Sequence, residues 1–257
     1  MNIFSQFVKS LYSPQSIALF RFQKIGKPIF YAFLLSFLAF LPNAIHFSYG
    51  IVNGLKDLDH IIQTDLPSFT IEDGILSSDN KKTIERKSGD YIVIFDNEGM
   101  FTKEEIEIRE NAIGFLKHEL VLVSDGTAQS FDYGLLESPM TKTDLVDIVE
   151  QVKELLPIIL SVLLFLLYFG ASFAKFFEIT ILALIAIIFK NKLNKKLNFK
   201  QLWILSAYAI TLSTTFFIIM DALQTTVPFK IYINWFIHLM ILFLTLKEIP
   251  SPKQNSN

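Results

Sequence analysis

Between Leu156 and Phe189 the chain reads LPIILSVLLFLLYFGASFAKFFEITILALIAIIF, a stretch whose only ionisable side chains are Lys175 and Glu178. About 18 apolar residues suffice to span a bilayer. At about 1.5 Å per helical residue this run would reach about 50 Å, against a hydrocarbon core of about 30 Å. The run predicts a membrane-spanning helix with length to spare. The topology of the chain and the placement of its polar middle are read from it.

Composition agrees once it is resolved along the chain. Hydrophobic residues make up 51% of 257 residues, and phenylalanine alone occurs 26 times, which suits lipid-facing helices better than an ordinary enzyme core. The formal charge of −2 conceals a segregation. Lys56 to Leu155 holds 10 basic and 22 acidic residues, net −12, and the rest holds 13 basic and 3 acidic, net +10. Acidic residues therefore fall in one polar block and basic residues flank the apolar runs, the pattern of a membrane protein with a positive side. Cysteine is absent, which excludes disulfides, thiolate catalysis and cysteine metal sites. The first 30 residues lack the pattern of a secretory signal peptide, so the first hydrophobic helix is expected to be retained as an anchor.

Residues 1–27 read as a basic amphipathic segment. Ile3, Phe4, Phe7, Val8 and Leu11 recur at helical spacing as in an interfacial helix, and Ser13-Pro14 signals the start of a second short helix carrying Arg21, Lys24 and Lys27. Those three suit an anionic membrane surface, or recognition of a headgroup or nucleotide. A first transmembrane helix is predicted over 28–49, with its apolar run at Ile29–Phe47, a kink at Pro42 and His46 at the outer boundary.

Over 50–140 the long apolar runs cease and an acidic α+β domain is expected. Phe69–Ile71 and Ile75–Leu76 read as a hairpin with Glu72, Asp73 and Gly74 between them, and Tyr91–Phe95 reads as a strand entered through Ser88, Gly89 and Asp90. Thr102 and Glu105 form a capping-box signal for a helix to about Glu110. Ile113–Leu116, Leu120–Ser124 and Gln129–Tyr133 are further strands, the last two joined at Asp125-Gly126. Thr143 is expected to cap a helix over 141–189 that leads into the long span.

The segment at 190–201 then gathers Lys190, Lys192, Lys195, Lys196 and Lys200 without an acidic residue. Lysine-rich short loops mark the cytoplasmic side. Together with the basic amino terminus this predicts four crossings: out over 28–49, back through Leu156–Phe189, out over Leu202–Met220 and back over Ile231–Leu246. The last two lie within 202–249, and the tail at 250–257, with Lys253, is placed inside. The fold class is an α-helical integral membrane protein of about four transmembrane helices with a small α+β extracytoplasmic domain after the first. A five-span alternative splits the long run at Gly170–Glu178.

Ionisable groups inside a span are costly and are candidates for function. Lys175 and Glu178 share a helix face and can pair; Asp221 ends the third span; His238 lies well inside the fourth, where Ser213 or Thr214 of a neighbouring helix could bond it. They suit a proton or substrate relay, or internal structural pairs. No hydrolase or phosphate-loop signature occurs, and His46, His60, His118 and His238 have no metal-ligand spacing, so neither a catalytic residue nor a cofactor is predicted. FDNEG at Phe95–Gly99 and SDGT at Ser124–Thr127 are oxygen-rich, and read as turns before cation or sugar sites.

LYSPQSIALFRFQKIGKPIFYAFLL, YIVIFDNEG, TKTDL and KNKLNKKLNFKQLW together resemble a bacterial membrane-protein family of unknown function, some members of which are named maltodextrin-utilisation proteins. The Ser-Pro entry and the FKQLW entry are more distantly similar to the Yip1-type superfamily, usually drawn with five spans. The resemblance implies a multi-pass protein of the bacterial inner membrane with both termini cytoplasmic. Its expected partners are the lipid bilayer and another membrane or envelope protein, not nucleic acid. The function expected first is non-catalytic: an outer domain that binds a ligand or partner, as an accessory to carbohydrate use. The alternative is a small transporter or channel using Lys175, Glu178, Asp221 and His238. An enzyme acting on lipid or envelope substrates has no paired nucleophile and base to support it.

Overall fold

The computed structural model describes residues 1–80, 82–88, 91–124 and 126–251. Gly89, Asp90, Asp125 and Lys253 lie outside them. The chain divides into two compact units, Met1–Phe47 with Ser161–Asn257, and Ser48–Leu160.

The first unit is helical. Asn2 caps α1 (Ile3–Tyr12) by accepting from the Ser5 amide at 2.8 Å, and Ser13 caps α2 (Pro14–Leu19), with Pro14 in the first turn where its missing N–H costs nothing. Helix α3 (Gly26–His60) passes through Pro42 and continues beyond the expected Phe47, so its first part belongs to this unit. Helix α5 (Lys142–Lys192) is likewise one element, unbroken across Gly170–Glu178 where a fifth span would need a turn. After it come α6 (Phe199–Ala209), opened by an Asn198/Gln201 capping box, then α7 (Thr211–Ala222), and α8 (Lys230–Lys247).

Among the described residues, four helical segments are long and apolar enough to cross a membrane: Gly26–Asp65, Lys142–Lys192, Phe199–Ala222 and Lys230–Lys247. They differ in what surrounds them. In the most apolar stretch of α5 only 6% of residues are buried, against 67% in that of α6 and α7. Every residue from Ile204 to Ile210 is buried, as expected of a helix apolar on all sides. The core around it is built from Ile17 and Phe20, Tyr31 and Leu35, Ile179 and Leu182, and Leu242 and Leu246.

One expectation fails here. Helix α1 buries Gln6 and Ser10 and exposes Phe4 and Tyr12, so its apolar residues do not form a single outward face and part of its polar side is turned into the protein. The reason is a set of buried partners: Tyr208 bonds Gln6 at 2.8 Å and Gln23 at 3.1 Å.

The second unit holds the sheets. β1 (Thr70–Glu72) and β2 (Ile75–Ser77) form a hairpin whose two turn residues, Asp73 and Gly74, both have positive φ, at 51° and 76°, the conformation a tight two-residue turn demands. β8 (Met140–Thr141) completes a three-stranded sheet in the order β2-β1-β8. The larger sheet is ordered β3-β4-β5-β6-β7: β3 (Ile84–Ser88), β4 (Tyr91–Phe95), β5 (Ala112–Phe115), β6 (Glu119–Ser124) and β7 (Thr127–Asp132). Only β4 and β5 are parallel, and the connection between them carries α4 (Lys103–Glu107), with the Thr102/Glu105 capping box in place. Both faces of β4 and β5 are covered: Val93, Phe95, Ile113 and Phe115 face one core, and Ile94 and Ala112 the other with Ile106 of α4. That accounts for an unalternating YIVIF. Gly114 is required by close approach, because a Cβ there would sit 3.2 Å from Ile106 Cγ1.

Three local expectations are corrected. Helix α5 is capped by Thr141, whose hydroxyl and amide both meet the Asp144 carboxylate at 2.7 Å, and not by Thr143. Helix α4 ends at Glu107, short of Glu110. Asp96 of FDNEG is wholly buried and accepts from the amides of Glu98, Gly99 and Phe101 at 3.3, 3.1 and 2.6 Å, so it organises the loop out of β4 and leads into α4, not into a hairpin.

Candidate functional site

The helical unit brings the ionisable residues of its apolar helices together. On α5, Lys175 Nζ lies 2.7 Å from Glu178 Oε2, the same-face pairing that a spacing of three allows. Glu178 Oε1 accepts from Asn234 Nδ2 of α8 at 2.6 Å and lies 3.4 Å from His238 Nδ1. His238 Nε2 is 2.8 Å from Ser213 Oγ of α7, and Ser213 Oγ also bonds Asn234 Oδ1. Lys175, Glu178, Asn234, Ser213 and His238 thus form one connected network across three helices, with His238 and Ser213 fully buried.

A cavity of about 300 Å³ opens beside it, lined by Lys175, Thr214, Asp221, Lys230, Asn234 and Trp235. Asp221 Oδ1 and Lys230 Nζ meet at 2.7 Å, with the ammonium 5.2 Å from the Phe217 ring centre. The same ion pair borders a second cavity of about 510 Å³, into which Asn43, His46, Gln224 and Thr226 also face. There Gln224 Nε2 bonds His46 Nδ1 at 2.9 Å. Each anion of the site therefore has its own cation, and the Asp221–Lys230 pair borders both cavities.

All four candidates named from the sequence fall here: Lys175, Glu178 and His238 within the network, Asp221 on the wall of the adjoining cavity. Of the two neighbours the sequence offers for His238, Ser213 is the one that bonds it; Asn234 and Lys230 are additions from the structure. Neutral polar residues attract little notice in an apolar run, yet a signal exists. Lys230, Asn234 and His238 succeed one another at intervals of four, a single polar stripe down an otherwise apolar helix.

Ser213, His238 and Glu178 have the connectivity of an acyl-transfer triad, but not its directions. Ser213 spends its only hydrogen on Asn234 Oδ1, and neither Ser213 nor His238 lines the cavity. A triad also needs an accessible nucleophile and donors for an oxyanion. Among the described residues no group of three His, Asp or Glu side chains is placed to hold a metal ion.

The basic residues at the helix ends are partly engaged. Arg21 donates to the Ala18 carbonyl and stacks 4.1 Å from the Phe22 ring centre; Lys27 reaches the Met1 carbonyl at 2.6 Å. Lys190 holds the Leu197 carbonyl at 2.7 Å, and Lys195 holds the Ile249 carbonyl and Ser251. Lys24, Lys192 and Lys196 are exposed.

The sheet unit has a hollow of its own, about 390 Å³, lined by Glu72, Asp73, Tyr133, Glu137 and Ser138. The Tyr133 hydroxyl is buried with no hydrogen-bond partner among the described residues, and burial, helped by the charge of Glu119, pushes the phenol well above its usual range.

Four helical segments long and apolar enough to cross a membrane, an ionic network between three helices and a small sheet unit define a mostly helical protein with the make-up of a membrane protein. The chain belongs to the family DUF1189, described as a protein of unknown function, whose profile matches residues 4–246. No curated protein and no solved structure matches the chain.

Proposed function

We propose that the protein is a small transporter or channel of the bacterial inner membrane. In this reading its four long helices cross the bilayer, both termini are cytoplasmic and the acidic sheet unit is extracytoplasmic. The observation that carries the reading is the network itself. Charges inside a span are rare and tend to mark substrate or ion pathways, and here two ion pairs lie beside cavities in the apolar helical unit, with a buried histidine joined to one of them. Lys175 lines the smaller cavity, the Asp221–Lys230 pair borders both, and Glu178 and His238 lie behind Lys175 in the network. The lysine-rich segment at 190–201 supports the orientation.

Reconstitution into liposomes with an internal pH dye tests it. The wild type is expected to dissipate an imposed proton gradient. The double variant Lys175→Met/Glu178→Leu, folded by circular dichroism, is expected to lose this activity, and retained flux sinks the reading. Orientation is tested separately, since the chain has no native cysteine. A cysteine at exposed Glu98 should react with an impermeant maleimide in intact cells, and one at exposed Asn194 should not.

The acidic hollow beside Tyr133 favours a second, non-catalytic reading. The sheet unit binds a hydroxyl-rich ligand or an envelope partner, as an accessory to maltodextrin use. Titration of the full-length protein with maltotriose checks the sugar part, and the absence of binding removes it.

A further inference from the structure

Hydrogen-bond direction can be followed through the buried network from one end to the other. Glu178 accepts from Lys175 and presents Oε1 to Asn234, so the atom of Asn234 facing it must be the amide nitrogen, a donor. That turns Asn234 Oδ1 toward Ser213, and an amide oxygen only accepts, so Ser213 gives it its single hydrogen. Ser213 Oγ then has only lone pairs to offer His238, and the imidazole must donate to it through Nε2–H at 2.8 Å. In a neutral ring this leaves Nδ1 bare. Nδ1 is buried, has no hydrogen-bond partner, and faces the Glu178 carboxylate oxygen at 3.4 Å, lone pair against lone pair.

One proton is therefore missing from an otherwise complete circuit, and its place is defined. We propose that His238 Nδ1 and Glu178 Oε1 form a buried proton-binding seat, with the Lys175–Glu178–Asn234–Ser213 chain fixing His238 as the Nε2–H tautomer so that Nδ1 alone can take up the proton. The step is a simple addition. A proton from bulk solvent bonds to Nδ1, no bond breaks, and the imidazolium donates Nδ1–H to Glu178 Oε1.

The groups facing the ring from each packed element are few. Helix α5 supplies Glu178 and Lys175. Helix α7 supplies Ser213, with Asp221 eight residues further along. Helix α8 itself carries Asn234, Trp235 at 6.1 Å between ring centres, Lys230 and, at its far end, Lys247. Helix α6 carries Lys200 in its first turn and Tyr208, which is bonded to Gln6 and Gln23, and the backbone of Ile210 adds a further hydrogen-bonding interaction to the imidazole. Helix α2 brings no titratable side chain. Among the described residues Glu178 is thus the only anion in contact with the ring, and it is the group a proton on Nδ1 would meet.

The seat deepens the transport reading, on which its physiological meaning rests, while the proton position stands on geometry alone. The test is nitrogen NMR of the full chain in lipid nanodiscs, labelled at histidine. His46, His60 and His118 are replaced together by Gln so that His238 alone is observed. At alkaline pH the ring should show the Nε2–H tautomer with a bare Nδ1, and acidification should protonate Nδ1 in a single titration. Glu178→Gln should move that midpoint toward acid by one pH unit or more, a tenfold change in proton affinity. Glu178→Asp, which keeps the charge but withdraws it by one methylene, should give a smaller shift in the same direction.

An Nδ1–H tautomer at alkaline pH, the form a Ser-His-Glu triad uses, overturns the proposal without any change at Glu178. A midpoint that ignores both Glu178 variants overturns it too. Proton flux is read separately, on the chain with its native histidines in the dye-loaded liposomes. Absent flux with the stated tautomer and titration removes the transport reading and leaves the seat; flux with the wrong tautomer does the reverse.

Discussion

The two units treat buried polar groups in opposite ways. In the sheet unit, Asp96 is buried and its carboxylate is taken up by three backbone amides within five residues of it. In the helical unit, Tyr208 reaches Gln6, Tyr31 reaches Thr211 at 2.6 Å, and Glu178 reaches Asn234, side chain to side chain across large separations in sequence. The physical reason lies in the backbone. A loop leaving a strand has amides without partners, and a nearby carboxylate serves them. A helix pairs its own amides, so a buried carboxylate, amide or phenol between helices finds its partners on other side chains, while buried hydroxyls such as Ser10, Ser36 and Thr211 turn back to carbonyls three or four residues earlier. Polarity therefore shapes the local chain in one unit and links distant elements in the other.

The largest effect expected from this contrast is at Glu178. Replacing it alone by Leu leaves the Lys175 ammonium unpaired between helices and should cost about 4 kcal/mol, whereas removing both charges in Lys175→Met/Glu178→Leu should restore most of the loss. Thermal unfolding in detergent reads both. A double variant as unstable as the single one would show that the pair does not act as a unit. Asp96→Ala should come next, at about 3 kcal/mol, because several amides lose their acceptor together. Here no second side-chain change can compensate, since the partners are backbone. Hydrogen exchange should show the loss at Glu98, Gly99 and Phe101 first. Thr102→Ala removes one half of a capping box on an exposed helix and should cost about 1 kcal/mol, confined to α4.

The same contrast explains what could be read from the sequence. The Asp73-Gly74 hairpin, the Tyr91–Phe95 strand and the Thr102–Glu105 box were legible because each is specified by adjacent residues. Strand β3 was not foreseen: IERKS is polar and sits at a sheet edge, held by its register with β4. The sequence places the run of α3 from Gly50 to His60 in the domain because its polar residues break the apolar pattern, although helix geometry tolerates them. At the candidate site, Lys175, Glu178 and His238 declared themselves through the cost of charge and imidazole in apolar surroundings. Of their assembly only the His238–Ser213 contact is legible, because which faces of α5, α7 and α8 meet is otherwise a matter of packing. The inward polar stripe of α1 was hidden for the same reason, since its partners Gln23 and Tyr208 lie on other elements.

From Ile204 to its end, helix α6 offers no outward face. Along a helix with one solvent- or lipid-facing side, tolerance to substitution rises and falls every three to four residues. Over Ile204–Ile210 that rhythm should vanish, and a saturation scan should return an unbroken band of sensitive positions. The exposed stretch of α5 around Phe165, Phe169 and Phe173 should accept one apolar residue for another nearly everywhere. Read as a map of permitted change, the molecule would carry its most constrained sequence in one of its shorter helices and its freest in the longest.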